Sequence, residues 1–225
     1  AESADIGEVV VAAEDQEIID DVKNNGGNAI LTSKNHKTGT DRIYEALSIL
    51  NRNDIDFIMN IQGDEPDIDI GDIKNLNNKM EITHSKIGTL AAKILDTKAY
   101  EYENLVKVKI KESFDQNPFP YADSFVRKTK EKKNMYHHVG VYCYDVDALK
   151  KFISLNQSKN ELKNRLEQLR ALDNNMNINV ALASKSPIGI DTEEDYLAIK
   201  KIMKYKKKWI KFIFKGLTEH TLTLQ

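Results

Sequence analysis

The sequence has little of the material from which secreted, membrane-spanning and nucleic-acid-binding proteins are built. Only one of its 225 residues is a cysteine, so no internal disulfide can form, and Cys143 is expected to be a buried thiol in a reducing compartment. No apolar run approaches the ~20 residues of a membrane-spanning helix, and no secretory signal is recognisable. The formal net charge of -2 creates no global field for nucleic acid. We therefore predict a cytoplasmic protein with no membrane span and no nucleic-acid partner.

What remains is an ordinary globular composition, with 40% apolar and 30% charged residues, which suits one α/β domain with a substantial core. Apolar runs alternate with helical periodicity near the start of the chain. Strands are predicted over Glu8–Ala13, Asn28–Thr32 and Phe57–Ile61, and helices over Asp15–Asn24 and Thr40–Leu50. This alternation predicts a doubly wound α/β fold, in which a mainly parallel sheet is flanked by helices.

The pattern is looser beyond Asp72. Further strands are predicted over Ile87–Ile94, Leu105–Ile110, His138–Tyr144 and Ile178–Ala183, and helices over Asp147–Leu155, Glu161–Leu172 and Glu193–Lys204. The polar segment Lys111–Asn134 contains prolines and is predicted to be a mobile loop. We expect one domain over residues 1–205, followed by an atypical tail.

The tail, residues 206–225, mixes basic and apolar residues in a way that the rest of the chain does not. It is compatible with a basic amphipathic segment that touches a membrane or a partner. It is equally compatible with a helix that packs on the domain, and with a segment foreign to the ancestral fold. The sequence leaves these three interpretations open.

Two acidic loops are candidates for metal and phosphate chemistry. The first, Gln62–Pro66, follows a predicted strand and contains Asp64; ligands of open α/β sheets bind beyond such strand ends. The second precedes the last predicted helix, where Asp191 stands before Thr192, the predicted N-cap. Carboxylates are hard oxygen ligands that suit Mg²⁺, and two of them from distant loops would suit a nucleoside triphosphate. A turn in the first loop and a favourable helix dipole in the second explain the same residues without any ligand.

Three other segments carry polar side chains, which could either bind a ligand or have an ordinary structural or surface role. Thr38–Arg42 leads into a helix whose N-terminal amides could hold an anion or a base edge, although the Gly-Lys-Ser/Thr ending of a phosphate-binding loop is absent. Leu166–Arg170 would ordinarily be the solvated face of an amphipathic helix. The paired His137 and His138 would ordinarily be incidental, and no His or Cys spacing resembles a zinc site.

Taken together, five segments are more specific than any one of them. They are Thr38–Arg42, Asn60–Pro66, His138–Tyr142, Leu166–Arg170 and Gly189–Thr192. In order and spacing they resemble the 3-deoxy-manno-octulosonate (Kdo) cytidylyltransferases, and the resemblance spans about Ile6 to Met203. The pair Gln-Gly-Asp-Glu-Pro and Leu-Glu-Gln-Leu-Arg is its most distinctive part.

The resemblance implies a Rossmann-like nucleotidyltransferase fold, Mg²⁺ dependence, a homodimer and a dimerisation and sugar-binding subregion at about residues 96–172. It implies transfer of CMP from CTP to Kdo, with release of pyrophosphate, for lipopolysaccharide synthesis. Asp64 and Asp191 are then the Mg²⁺ ligands, and with Gln62 they form the catalytic set. The substrate-binding set comprises Thr38, Gly39, Thr40 and Arg42 with His138, Tyr142, Glu167 and Gln168. Of these, Thr38 and Arg42 belong to the CTP site, and His138, Glu167 and Gln168, with Gln62, to the Kdo site.

The sequence departs from the family pattern in two places. No counterpart of the family's first strand and its Arg-rich, Pro-Gly-Lys-Pro-like triphosphate loop precedes Ala1. We therefore expect two unpaired strand edges, and weak CTP binding by this chain alone. The family's Phe-Ser-Arg segment has no clean counterpart, since Phe119–Ala122 occupies about its place, with Arg127 as a candidate substitute. Thr38 also stands where a serine is usual.

Two alternatives to this function remain open. The chain could be a related sugar-acid cytidylyltransferase of the CMP-sialic acid synthetase type, which a panel of acceptor sugars would reveal. It could also be a non-catalytic fragment or binding module of the same fold, for which Mg²⁺-independent sugar binding without turnover would be diagnostic.

Overall fold

The N-terminal part folds as its alternating pattern predicts. The computed structural model describes residues 1–190 and 192–202. After a 3-10 turn at Glu2–Ala4 come β1 Val10–Ala13, α1 Gln16–Asn24, β2 Asn28–Leu31, α2 Gly39–Leu50 and β3 Phe57–Asn60. The chain turns after α1 through Gly26, whose φ of 83° lies in the left-handed region that glycine enters without a Cβ penalty.

The rest of the chain is more regular than its sequence pattern suggested. It forms α3 Ile70–Thr83, β4 Ile87–Ala92, a 3-10 turn at Thr97–Glu101, β5 Lys107–Ile110, β6 Ala122–Val126, β7 Met135–Asp145, α4 Val146–Ser154, α5 Lys159–Asn164, α6 Leu169–Asp173 and β8 Asn179–Leu182. A further helix, α7, covers residues 193–202. The prediction of a mobile loop over Lys111–Asn134 was wrong, because β6 lies within it and pairs antiparallel with β5.

The α/β class is confirmed, but the larger sheet is mixed rather than mainly parallel. Strands β1 and β2 form a parallel pair of their own, and the six-stranded sheet has the order β6-β5-β7-β4-β8 with β3 also paired to β7. Strand β7 spans 11 residues and runs antiparallel to β3, β4 and β5. Only β4 and β8 pair in parallel within that sheet. One long strand therefore sets the directions of its three neighbours.

Strands β1 and β3 each leave one edge unpaired within the described part of the chain. Among the described strands, β1 pairs only with β2, and β3 pairs only with β7. Helix α2 packs against both β1 and β3. Val10, Val11 and Ile58 on these strands are only half-buried, although the sequence pattern predicts burial. The expected pair of unpaired edges is thus present, and such edges are places where a further strand can add.

The core lies where β4, β7 and β8 meet α4. Ile87, Tyr144 and Val180 are buried in these strands, and Leu149 of α4 belongs to the same cluster. Within the described residues no helix has the length and apolarity that a bilayer crossing requires. The expected domain end at residue 205 and the tail at 206–225 lie outside the described part of the chain.

The chain divides into two compact units, which are described separately. The first comprises Ala1–Gln62 with Asp69–Ser186, and the second comprises Gly63–Ile68 with the described residues from Pro187 onwards. In the second unit Thr192 caps α7 as predicted, since its Oγ1 accepts from the Asp195 amide at 3.2 Å. In return, the Asp195 side chain accepts from the Thr192 amide at 2.9 Å. One acidic residue of the second acidic loop therefore has a capping role.

The core assignment predicts a large difference between two chemically identical substitutions. Leu149→Ala should lower the free energy of unfolding by about 3 kcal/mol, because it leaves a cavity at a fully buried position. Leu95→Ala should change it by less than about 0.5 kcal/mol, since Leu95 is 92% exposed. Urea unfolding followed by circular dichroism measures both. Equal losses would show that α4 does not pack on the core as described.

Candidate active site

The loop between α5 and α6 carries the first candidate residue, Glu167. The sequence predicts one helix over Glu161–Leu172, and this prediction was wrong. Helix α5 ends at Asn164, the following Arg165 takes the left-handed conformation with φ 52°, and α6 begins at Leu169. The break turns Glu167 inward instead of leaving it on a solvated helix face. The solvated interpretation of this segment therefore fails, and most clearly for Arg170, which is 3% exposed.

The end of α5 is fixed by a side chain from another part of the fold. Arg127, just beyond β6, donates from Nε to the Asn164 carbonyl and from Nη2 to the Arg165 carbonyl, both at 2.9 Å. Terminal helix carbonyls have no partner within their own helix, and the guanidinium supplies one. A third bond from Nη1 to the Glu103 carbonyl at 3.1 Å anchors Arg127 itself. Arg127 thus holds the start of the loop that carries Glu167.

Helix α2 brings a second group of candidates to Glu167. The Thr40 hydroxyl, buried in the first turn of α2, donates to Glu167 Oε2 at 2.9 Å across 127 residues of sequence. Thr38 is the N-cap of this helix and accepts from the Asp41 amide at 3.2 Å. The N-terminal turn of α2 and the α5–α6 loop therefore form one polar cluster.

The Glu167 side chain is half-buried, and its charge is only partly compensated. Burial raises its pKa, while the hydroxyls of Thr38 and Thr40 and the charge of Arg170 act in the opposite direction, and the nearby Asp41 adds to the increase. Its Oε1 is buried and forms no hydrogen bond within the described structure, since Arg170 Nη2 stands 3.8 Å away. An acceptor of this kind is costly to leave unpaired. A ligand hydroxyl would satisfy it.

Strand β7 supplies an aromatic face beside this cluster. The His138 ring meets Phe125 edge-on at 5.1 Å between centroids and Tyr142 at 5.4 Å. The Tyr142 ring stacks on Tyr144 at 5.7 Å. Both phenols lie close enough to Glu167 for its charge to raise their pKa values further, although burial is the larger cause. The face therefore continues from His138 to the Glu167 loop.

His138 is held as a neutral imidazole. Burial, followed by the effect of His137, lowers its pKa to about 3. The Thr89 hydroxyl donates to the Val141 carbonyl at 2.7 Å, so its oxygen is left to accept from His138 Nε2 at 3.1 Å. This network assigns the proton to Nε2 and makes Nδ1 an acceptor. His138 can contact a ligand through neutral hydrogen bonding but not through a positive charge.

The Tyr142 hydroxyl is the second unsatisfied polar group of the cluster. It faces Thr89, whose own proton is committed to Val141, and it forms no well-shaped hydrogen bond in the described structure. A phenol can both donate and accept. Together with Glu167 Oε1, it gives the cluster one free acceptor and one free hydroxyl, which is the complement of a polyhydroxylated ligand.

Gln62 and Gly39 meet where β3 ends. Gln62 Nε2 donates to Asn60 Oδ1 at 3.1 Å, and Asn60 is buried. A Cβ at position 39 would stand 3.2 Å from Gln62 Nε2, tighter than ordinary van der Waals contact. Glycine at the start of α2 thus lets the helix approach the side chains at the strand end.

Arg42 lies toward β1 and β2 rather than beside Glu167. Its Nη1 donates to the Thr32 hydroxyl at 2.8 Å, and its Nη2 pairs with Glu14. Thr32 and Glu14 directly follow β2 and β1. Arg42 therefore stands at the carboxyl ends of the two parallel strands. Gln168 is half-buried and follows Glu167 in the α5–α6 loop.

In the second unit, one contact concerns the predicted metal ligands. The Asp64 carbonyl accepts from the Ile190 amide at 2.8 Å, so the acidic loop after β3 is bonded to the residue that precedes Asp191 in the sequence. Asp191 itself lies outside the described residues. Carboxylate oxygens from two such loops would fit Mg²⁺ by ligand chemistry. Within the described residues, no group of three or more His, Cys, Asp or Glu side chains is arranged to hold a metal.

Comparisons with known proteins decide the family. The sequence model described as Cytidylyltransferase matches residues 1–178. The chain is 39% identical over 201 residues to the 3-deoxy-manno-octulosonate cytidylyltransferase of Thermodesulfovibrio yellowstonii, with 84% of this chain and 79% of the relative covered. It is 37% identical over 206 residues to the enzyme of that name from Bartonella henselae, with 90% and 84% covered.

A solved structure agrees with these relatives. The CMP:2-keto-3-deoxy-manno-octonic acid synthetase, determined in complex with CTP, superposes with a TM-score of 0.78 at 30% identity, and 89% of this chain and 82% of that one are covered. The chain belongs to the 3-deoxy-manno-octulosonate cytidylyltransferase family. The resemblance found in its five sequence segments is thereby confirmed, and so is the nucleotidyltransferase fold.

In this Kdo cytidylyltransferase-family chain, two residues of the polar cluster and the capping role of Arg127 escaped the sequence analysis. Thr89 sits in a strand whose every residue is buried, and a threonine in so apolar a run could have signalled a polar partner. Phe125 packs edge-on against His138, a contact that the sequence pattern does not reveal. No local signal marked Arg127 as a helix cap, because its acceptors lie more than thirty residues away along the chain.

The Thr40–Glu167 bond predicts a pH-dependent loss of stability. Thr40→Val keeps the shape but removes the donor to a buried carboxylate, which should cost about 1–3 kcal/mol at neutral pH. Because the folded-state pKa of Glu167 is raised, Glu167 lowers stability as pH rises through that pKa. The substitution raises the pKa of Glu167 further, so the deficit should shrink as the pH falls through these raised pKa values, before it reaches the usual range of a glutamate.

Urea unfolding at pH values from 4 to 8 measures this effect, and Thr83→Val is the matched control. The Thr83 hydroxyl bonds to Lys79 and Ser85 at the exposed end of α3, so its loss should be small and independent of pH. A Thr40→Val deficit that does not change with pH would contradict an ionised partner.

Proposed function

We propose that this chain transfers CMP from CTP to Kdo, releasing pyrophosphate. The observation that carries the proposal is the pair of buried, unsatisfied polar groups, Glu167 Oε1 and the Tyr142 hydroxyl, beside the neutral His138. A sugar acid rich in hydroxyls offers a donor to Glu167 Oε1, and a donor or an acceptor to the Tyr142 hydroxyl. The names of the relatives supply the identity of that sugar acid.

The sugar would lie between β7 and the α5–α6 loop. Glu167 would accept from one hydroxyl, His138 Nδ1 from another, and Gln168 and Gln62 would add amide contacts. The buried carboxylate and phenol are already oriented by packing, so little side-chain entropy is lost on binding. Such preorganisation is what positions an acceptor hydroxyl for reaction.

The nucleotide would lie at the N-terminus of α2. The amides of the first turn, with Thr38 at the cap and Gly39 allowing close approach, suit a base edge or an anion. Arg42 contributes a guanidinium at the ends of β1 and β2, where ligands of open α/β sheets bind. The part of the CTP site that this chain supplies is therefore oriented more by hydrogen bonding than by cations.

Asp64 and Asp191 would hold Mg²⁺ in this proposal. The hydrogen bond between the Asp64 carbonyl and the Ile190 amide supports this assignment. It joins the first acidic loop to the residue directly before Asp191 in the sequence. When bound, the ion would neutralise negative charge on the phosphates. The donor set fits a hard cation that completes its coordination with phosphate oxygens and water.

The reaction needs positioning more than it needs a covalent catalyst. The C2 hydroxyl oxygen of Kdo forms a bond to the α-phosphorus of CTP, the bond from that phosphorus to the bridging oxygen breaks, and pyrophosphate leaves with the electron pair while the hydroxyl proton passes to solvent. Gln62, His138 and Glu167 would bind and orient the sugar for in-line attack. No residue is required to act as a nucleophile.

A cytoplasmic homodimer is part of the same proposal. Cys143 is buried in β7, where burial raises the pKa of its thiol to about 12, and an unreactive thiol of this kind suits a reducing compartment. Strand β6 stands at the end of its sheet, within the subregion of about residues 96–172 for which the family resemblance implies dimer contacts. Light scattering of the purified protein would determine the oligomeric state.

The test of the function is pyrophosphate release from CTP and Mg²⁺ with Kdo, N-acetylneuraminic acid or no sugar. We expect release with Kdo, and none with N-acetylneuraminic acid or without a sugar. Release with the sialic acid instead would move the chain to the alternative substrate. Sugar binding without release would establish a non-catalytic binding module.

Tyr142→Phe tests the sugar cluster separately. The substitution removes an unsatisfied buried hydroxyl, so stability should stay the same or rise. The KM for Kdo should increase about tenfold, the equivalent of one hydrogen bond of about 1.4 kcal/mol, with little change in the KM for CTP. Tyr136→Phe is the control on the same strand, because the Tyr136 ring packs edge-on to Phe114 at 4.9 Å, outside the cluster. A KM for Kdo that does not change would remove Tyr142 from the site.

A further inference from the structure

A buried ion pair spans the loop that carries Glu167. Arg170 of α6 donates to Glu161 of α5 from Nε at 2.9 Å and from Nη2 at 2.5 Å, and both residues are 3% exposed. The guanidinium also lies 4.6 Å from the centroid of the Phe152 ring. Arg170 is therefore fixed in position from two sides.

The same guanidinium stands close to the site without entering it. Arg170 Nη2, which bonds to Glu161, is 3.8 Å from Glu167 Oε1, and that oxygen has no hydrogen-bond partner in the described structure. At this distance the cation stabilises the Glu167 charge but leaves the acceptor open. The bonds to Glu161 hold the guanidinium at this distance, so it does not move closer and donate to Glu167 Oε1.

We propose that the Glu161–Arg170 pair is a positioning unit for Glu167, which holds a cation near the carboxylate while reserving Oε1 for a hydroxyl of the ligand. That this ligand is a sugar acid rests on the proposed function. A purely structural role is a weak explanation for such a pair, because buried ion pairs are often replaceable by neutral groups without loss of stability. The geometry gives it a second role.

Other groups also face Glu167 and enter any titration of it. Helix α2 contributes Asp41 with the hydroxyls of Thr38 and Thr40. Strand β7 contributes the phenols of Tyr142 and Tyr144, whose pKa values are raised well above the neutral range. Of the ionised groups, Asp41 opposes the Glu167 charge and Arg170 supports it, so changes in Arg170 should be visible in the Glu167 titration.

Two variants separate the positioning role from a structural one. Glu161→Gln keeps the capping box that Glu161 forms with Ser158, because glutamine serves equally at that position. The substitution weakens the bond to Arg170. The Arg170 guanidinium should then move to Glu167, donate to Oε1 and lower the pKa of Glu167. Glu161→Gln with Arg170→Met removes the cation as well, so the pKa of Glu167 should rise. The two variants differ only in Arg170.

The first readout is the carboxyl carbon signal of Glu167 in protein labelled with ¹³C-glutamate, assigned with Glu167→Gln and followed against pH without substrates. We expect shifts of about one pH unit in opposite directions from the parent. Asp54→Asn weakens the exposed pair with Arg52 and should leave the signal unchanged. Shifts in the same direction, or none, in folded variants would overturn the proposal.

The second readout is the kinetics with Kdo. Both variants should raise the KM for Kdo by about tenfold, and the acid limb of kcat/KM should move to lower pH in Glu161→Gln and to higher pH in the double variant. A parental KM in both variants would also overturn the positioning role. If the parent releases no pyrophosphate with Kdo, the proposed function fails, while the titration still decides the role of the pair.

Discussion

Burial of one carboxylate is the constraint on which the site depends. Glu167 is half-buried with its Oε1 fully buried and its pKa raised, and a charge placed there is stable only if hydrogen-bond donors and a cation surround it. Thr40 from α2 and Arg170 from α6 meet that need from opposite sides. The compensation is incomplete, since Oε1 remains unbonded. The unbonded oxygen destabilises the free protein, and a ligand hydroxyl that donates to it would remove that destabilisation.

The β7 strand makes this arrangement possible. Because it is antiparallel to three neighbours, it runs the length of the sheet and presents His138, Tyr142 and Tyr144 along one face. Burial keeps the imidazole and both phenols neutral at ordinary pH. These three rings therefore add neutral hydrogen-bonding groups beside Glu167, and the charges that act on Glu167 come from Arg170 and Asp41.

The sequence predicts the elements that depend on local periodicity and misses those that depend on distant partners. The strands and helices up to Asn60 were found because hydrophobic repeats and Gly26 are local signals. Helix α3, strand β6 and the break after Asn164 were not. Nothing near Arg165 marks a left-handed residue, and its carbonyl is capped by Arg127, which follows β6. The segments of the site were recognisable by resemblance, but burial of Glu167 and Arg170 follows only from tertiary packing.

The arginines around the site explain how the nucleotide must be neutralised. Arg42 is paired with Glu14, Arg127 is used on three backbone carbonyls, and Arg170 is held by Glu161. None of these three can turn to a triphosphate without leaving a bond that supports the fold. A triphosphate carries several charges that need close cations. In the proposed reaction, that neutralisation therefore has to come mainly from the metal ion and from cations other than these three, while the described cluster orients the sugar.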